Sequence, residues 1–326
     1  MKTLMVAIGA LFLATAASES SSAGVMLGAH VGYENDADSK GEFSALEAGI
    51  GRKLAIDNDH EDWMALPNID RVRWDQANGR LSMLSWRIMF SRSDSAAGCA
   101  NADAIVAGTY DAQLRRQALA VKSLGKPILI RFNYEMTNNE ENTCFTGFPV
   151  KTNTSLAGSK YIAAWRHVVD TFRAAGASNV QWVWAPGAPA YLKGIWRQFF
   201  PGAAYVDWIG LDNYNKTDEP RSFATDAAIQ AFYTQTSGLG KPLMIAETGA
   251  VNDSRLATDA QTEWLTTARE YLKTHPAIKA LLYWNGSGKY AREHSDYGGS
   301  GYHLRGPGLA AFRAMANDPY FADTSR

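Results

Sequence analysis

Gly125-Lys-Pro-Ile128-Leu-Ile-Arg-Phe132-Asn-Tyr-Glu135 begins with a glycine and a proline, runs almost wholly apolar from Ile128 to Phe132, and ends on a carboxylate. A run this short and this apolar reads as a strand buried on both faces, as in a parallel sheet. Seven further runs resemble it: Val25–Val31, Lys53–Ile56, Leu81–Trp86, Val180–Trp184, Val206–Leu211, Leu243–Ala246 and Ala280–Trp284. Amphipathic helices separate them. Tyr161, Trp165, Val168, Val169 and Phe172 recur at helical spacing, with Ser159 read as N-cap and Gly176 as stop. A second helix is expected from Thr258, with Gln261 three residues on in a capping box. It carries Trp264, Leu265, Ala268 and Leu272 on one face and ends before Pro276. Strands alternating with helices imply the α/β class and a parallel sheet. Eight units without a linker predict a closed (β/α)8 TIM barrel, one domain over residues 24–326. No glycine-rich dinucleotide fingerprint follows the first run.

The 326 residues carry a net charge of −1, so the basic excess that nucleic-acid binding requires is absent. Ten Trp and 14 Tyr are more informative, because aromatic faces stack on the C–H faces of sugars. Residues 1–23 read as a secretory signal peptide: Lys2, an apolar run from Leu4 to Ala14, then small residues at Ala14, Ala16, Ala17 and Ala23. Cleavage after Ala16 or Ala17 is expected, with Ala23 as the alternative. No later stretch is long and apolar enough to span a membrane. A secreted or periplasmic protein, monomeric and free of the membrane once the signal is removed, is the expectation. In an oxidising compartment Cys99 and Cys144, on neighbouring loops of the expected barrel, would form a disulfide.

In such barrels the chemistry lies at the C-terminal ends of the strands. Glu135 follows the fourth run and Glu247 the seventh, with Arg131 nearby. Two carboxyl groups across one barrel mouth are what glycoside cleavage needs: one protonates the leaving oxygen, and the other is ionised and attacks or activates water. Spacing along the chain does not choose between retention and inversion.

Several segments then carry a likeness to a family. They are Gly108-Thr-Tyr-Asp111, Gly125 through Met136, Ala164-Trp-Arg-His167, Asn179-Val-Gln-Trp-Val-Trp-Ala-Pro186 and Phe200-Pro-Gly202. Val206-Asp-Trp-Ile-Gly-Leu-Asp212 with Tyr214-Asn215, and Lys241-Pro-Leu-Met-Ile-Ala-Glu247, complete them. In this order, over about two thirds of the chain, they resemble glycoside hydrolase family 26, a retaining clan of barrels. The resemblance implies Glu135 as acid/base, Glu247 as nucleophile, Tyr214 as the hydroxyl that holds the nucleophile, and Arg131 as the cation that keeps it ionised. It implies no cofactor and no metal. Mannan-cutting members usually place a histidine before the acid/base; here Tyr134 stands there, after Asn133, and Thr137 replaces a common asparagine. The substrate is therefore left open among β-mannan, β-1,3-xylan, mixed-linkage β-glucan and a bacterial exopolysaccharide, cut in endo fashion. The rivals are a catalytically inactive glycan-binding barrel and a metal-dependent barrel hydrolase.

Strand-end aromatics supply candidate sugar contacts: Trp86, Trp184, Trp284 and, after the second run, Trp63. The resemblance favours Trp284, where clan members commonly carry an aromatic beside the cleavage point. Tyr134, Asn133 and His30 are further candidates. Asp212 reads equally as a substrate contact or a structural acceptor. Asp36, Asp38, Asp57 and Asp59 are read as solvated acids, and Lys289–Tyr297 as a loop shaping the cleft. No Gly-x-Ser-x-Gly elbow appears.

Overall fold

The structure is a computed structural model and describes residues 24–32, 39–88, 100–137, 139–217, 219–251, 259–286 and 301–321. Residues 1–23, Cys99, Thr258 and Lys289–Tyr297 lie outside the described residues. Eight parallel strands close a barrel in chain order. They are β1 (Met26–Gly32), β2 (Ile56–Asp62), β3 (Leu81–Arg87), β4 (Ile128–Phe132), β5 (Val180–Trp184), β6 (Trp208–Asn215), β7 (Leu243–Ala250) and β8 (Ile278–Gly286). β1 pairs with both β2 and β8, which closes the sheet. Around it run α1 (Ser39–Ile50), α2 (Ile69–Ala77), α3 (Ala102–Val106), α4 (Asp111–Lys122), α5 (Asn139–Thr146) and α6 (Thr154–Ala174). They continue with α7 (Ala188–Leu192), α8 (Ala227–Thr236), α9 (Ala260–Thr274) and α10 (Gly306–Ala316).

The period of two along each strand divides the core into two layers. Met26, Ile56, Met83, Leu129, Val183, Met244 and Leu282 fill the barrel interior. Leu27, Leu84, Ile130, Trp184, Ile209 and Leu281 face outward and pack with helix residues such as Trp165 and Trp264. Leu129 faces inward, so Arg131, two residues on, does too. Strict alternation would send Glu247 outward with Ile245. The β6–β7 register instead steps from Leu211↔Ile245 to Asp212↔Glu247, leaving Ala246 as an extra residue. That bulge turns Glu247 back into the barrel, a re-aiming of a side chain that bulges commonly provide.

Four local readings are corrected. The second strand runs Ile56–Asp62, not Lys53–Ile56. Its outward face carries Asp57, Asp59 and Glu61, so no apolar run marks it. Asp57 is not solvated: it is buried against Arg71 of α2, whose Nε and Nη2 lie 2.7 and 2.6 Å from Oδ2. Burial and the charge of Asp57 push Asp59 up to about 6. Helix α6 starts a turn and a half before Ser159; Asn153 caps it by accepting from the Leu156 N–H at 3.0 Å. Gly176 lies just past its end with φ 76°, the left-handed stop that glycine favours. Asp259 caps α9 through the Thr262 N–H at 3.0 Å, and the Gln261 amide turns into the core instead of back to the cap.

Candidate active site

Arg131 organises the C-terminal mouth of the barrel. Its side chain is wholly buried. Nη1 donates to both carboxylate oxygens of Asp212 at 2.9 Å, and Nε donates to Ser85 Oγ at 2.9 Å. Nη2 donates to Glu247 Oε1, and the guanidinium carbon stands 4.1 Å from the centre of the Tyr134 ring. This is the planar fork that only arginine offers. Burial alone would lower the Arg131 pKa; the charges of Asp212 and Glu247 reverse that and hold it above the ordinary arginine range.

Glu247 is buried as well and is met from three strands. Tyr214 Oη on β6 donates to Oε2 at 2.5 Å, Arg131 on β4 donates to Oε1, and His60 Nε2 on β2 lies 3.3 Å from Oε1. Burial raises its pKa, but the Arg131 charge and the His60 contact outweigh it and hold the carboxyl well below the usual range. Asp212 goes the other way: burial, with the charges of Glu247 and Glu135, pushes it well up against the pull of Arg131. Burial and the charges of Glu247, Asp212 and Glu135 push the Tyr214 phenol up, so it stays a donor.

Glu135 sits on the loop after β4 in a left-handed conformation, φ 51°, two residues after Asn133 at φ 42°. Asparagine tolerates that region and glutamate does not, so the bend costs roughly 1–3 kcal/mol. It is held by two backbone bonds, Asn133 N–H to Trp86 O at 3.0 Å and Glu135 N–H to Ala185 O at 2.9 Å. Gly187 lies against the carboxylate: a Cβ there would stand 3.4 Å from Glu135 Oε1, an ordinary contact. Gly187 also bridges to Asp212, which pairs with Glu247. The two glutamates thus share one mouth, separated by the ends of β5 and β6.

The structure places the remaining candidates unevenly. Trp284 is half-buried at the rim and stacks on His30, ring centres 4.0 Å apart. His30 is buried beneath it and bonds Asn58 O at 2.9 Å, so it supports the tryptophan instead of facing the cleft. Trp63, Trp86 and Trp184 are 0% exposed and cannot floor a sugar site. They face outward from the barrel and pack under the helices, Trp63 against Tyr110 and Phe132, Trp184 against Trp196 and Phe200. Of the two readings of Asp212 the structure carries the structural acceptor: its side chain is sealed beneath Arg131. Asn133 is buried and serves the bend. Tyr134, also buried, turns its hydroxyl to Arg87 and His60.

A sequence profile of glycosyl hydrolase family 26 matches residues 35–276. The chain belongs to glycosyl hydrolase family 26. Similar proteins include Endoglucanase H of Acetivibrio thermocellus, 29% identical over 262 residues, which are 77% of this chain and 26% of that protein. A mannan endo-1,4-beta-mannosidase of Bacillus subtilis is 32% identical over 131 residues, 40% of this chain and 32% of that protein. The matched segments therefore span only about a quarter to a third of these relatives. Among solved structures, the YdhT protein from Bacillus subtilis superposes with a TM-score of 0.64 at 20% identity, covering 91% of this chain and 86% of that one. The Bacillus subtilis mannanase man26 gives 0.61 at 21% identity, with 81% of each chain covered. These two share the fold.

Within this family 26 barrel, sequence reasoning missed His60, Asn58, Ser85 and Arg87. Ser85 Oγ donates to Asn58 Oδ1 at 2.6 Å while accepting from Arg131, so these residues buttress the arginine. The signal was the alternation Ile56-Asn58-His60 on the inward face of β2, hidden by the acids between them. Among the described residues no group of three His, Cys, Asp or Glu side chains is arranged to hold a metal ion.

Proposed function

We propose that this protein is a retaining endo-β-glycanase working by double displacement. The observation that carries the reading is Glu247, contacted from three strands and held ionised chiefly by Arg131, in the mouth it shares with Glu135. A Glu247 oxygen bonds to the anomeric carbon as the glycosidic C–O bond breaks, and the Glu135 carboxyl gives its proton to the leaving oxygen. Water then gives a proton to Glu135 while its oxygen displaces Glu247, which restores both groups. Tyr214 and Arg131 stabilise the negative charge on Glu247 before attack and as it is released. No cofactor enters the scheme.

The substrate is a β-linked polysaccharide: β-mannan, β-1,3-xylan, mixed-linkage β-glucan or a bacterial exopolysaccharide. The names of the relatives support a β-glucan or a β-mannan. Export with removal of a signal peptide that lies within residues 1–23, a Cys99–Cys144 disulfide and a monomeric state belong to the same proposal. Incubation with these four polysaccharides, followed by proton NMR of the first-formed reducing ends, tests it. The expected product is the β-anomer, later mutarotating. The α-anomer appearing first, or no reducing ends from any polysaccharide, would overturn it.

The aromatics give a paired prediction. Trp284→Ala is expected to raise KM roughly tenfold, about 1.4 kcal/mol of binding, with little change in melting temperature. Trp184→Ala is expected to lower stability by about 3–5 kcal/mol, because it empties a packed site. Denaturant titration beside steady-state kinetics reads both.

A further inference from the structure

We propose that Arg87 and Tyr134 are positioning residues that fix the tautomer of His60, placing its hydrogen on Nε2 so that His60 is a third donor to Glu247. The proposal rests on the reading of Glu247 as nucleophile. Arg87 donates to Tyr134 Oη from Nε at 3.1 Å and from Nη2 at 2.8 Å. A hydroxyl offers two lone pairs and one hydrogen. Two charged N–H groups occupy the lone pairs, so the Tyr134 hydrogen must be given elsewhere, and His60 Nδ1 lies 3.0 Å away. The ring is neutral, because burial pushes its pKa down to about 3. A neutral imidazole that accepts at Nδ1 carries its hydrogen on Nε2. That nitrogen lies 3.3 Å from Glu247 Oε1, where an N–H meets an ionised acceptor and makes the stronger, charge-assisted bond.

The reverse tautomer fails at both ends. It would press Nδ1–H onto a hydroxyl oxygen already filled and turn the Nε2 lone pair toward a carboxylate. Two neighbours argue for it, since Asn58 Nδ2 at 3.3 Å and Arg131 Nη2 at 3.4 Å are donors facing Nε2. The Asn58 contact is no shorter than the one to Glu247 and pairs two neutral groups, whereas Glu247 is an ionised acceptor, and Arg131 Nη2 is already committed to Glu247. The Glu247 charge and the filled Tyr134 oxygen decide the matter.

The geometry also explains a tyrosine in front of Glu135. Its ring lies under the Arg131 guanidinium while its hydroxyl reaches His60, so one side chain supports two of the three donors to Glu247.

Nitrogen-15 NMR of the histidine rings in the intact protein tests this, with the His60 signals assigned by their loss in His60→Gln. From about pH 5 to 8 a neutral His60 should show a protonated Nε2 and an accepting Nδ1. Tyr134→Phe keeps the ring but should mix the tautomers and lower kcat about fivefold at unchanged KM. Against a His60→Gln background, whose amide donates without help, the same substitution should change kcat less than twofold. A protonated Nδ1 in the parent protein, or Tyr134→Phe with the parent's kcat while Glu247→Ala is inactive, overturns the relay and leaves the nucleophile standing. Full activity in Glu247→Ala would overturn both.

Discussion

Glu247→Ala is expected to lower kcat at least about 10⁴-fold, roughly 5.5 kcal/mol at 1.36 kcal/mol per decade, while the fold survives. The loss is large because no other group can take over. Asp212 is sealed beneath Arg131, and Glu135 stands on the loop after β4, with β5 and β6 between it and the strand of Glu247. Folding survives because the substitution leaves Arg131 bonded to both oxygens of Asp212. One guanidinium now faces two carboxylates, so removing one of them leaves no buried charge without its partner. Steady-state kinetics and a thermal melt on the same sample read the two halves. Activity retained with an unchanged melt would assign the chemistry to another residue.

Arg131→Met is expected to damage stability and activity together. It leaves two buried acids and no cation, a break that costs about 3–5 kcal/mol. The acidic limb of kcat/KM should also rise by roughly 1–3 pH units. The sign follows from Glu247: Arg131 is the main influence holding its pKa down against burial. Without that charge the carboxylate takes up a proton at higher pH, and the attacking form disappears as pH falls through the raised value. The other groups facing it do not prevent this: Tyr214 and His60 are neutral, and Asp212 and Glu135 are acids. Stability linked to the low Glu247 pKa is present above its ordinary value near 4.5 and is lost as pH falls toward the depressed one. Arg131→Lys should not rescue, because a lysine cannot bond Asp212, Glu247 and Ser85 at once. Chemical denaturation at two pH values and a pH–rate profile check the account. A Met variant with the parent's acidic limb would show that Arg131 does not tune the nucleophile.

The barrel was legible in the sequence because its strands are mostly buried on both faces. Ile128–Phe132 and Val180–Trp184 begin and end where the apolar pattern does. β2 was not legible, since its outward acids are accommodated by burial and, for Asp57, by Arg71 on the helix that follows, a pairing no apolar pattern reveals. Glu135 and Glu247 could be singled out because each follows an apolar strand run, while Arg131 and Tyr214 were singled out through the family resemblance. His60 was hidden with its strand. Nor could the sequence show that Ala246 is the extra residue that turns Glu247 inward. The tryptophans failed for the opposite reason. Strand ends looked like rims, yet alternation sends Trp86 and Trp184 outward beneath helices and leaves only Trp284, of the four, at the mouth.

Azide rescue of the two glutamate variants, with the anomeric configuration of each glycosyl azide read by NMR, tests the assignment of roles most directly. Glu135→Ala should yield a β-azide, because the intermediate on Glu247 still forms and azide displaces it from the opposite face. Glu247→Ala should yield an α-azide, because azide occupies the space of the missing carboxylate and attacks once. The reverse pairing, or the same anomer from both variants, would contradict the account.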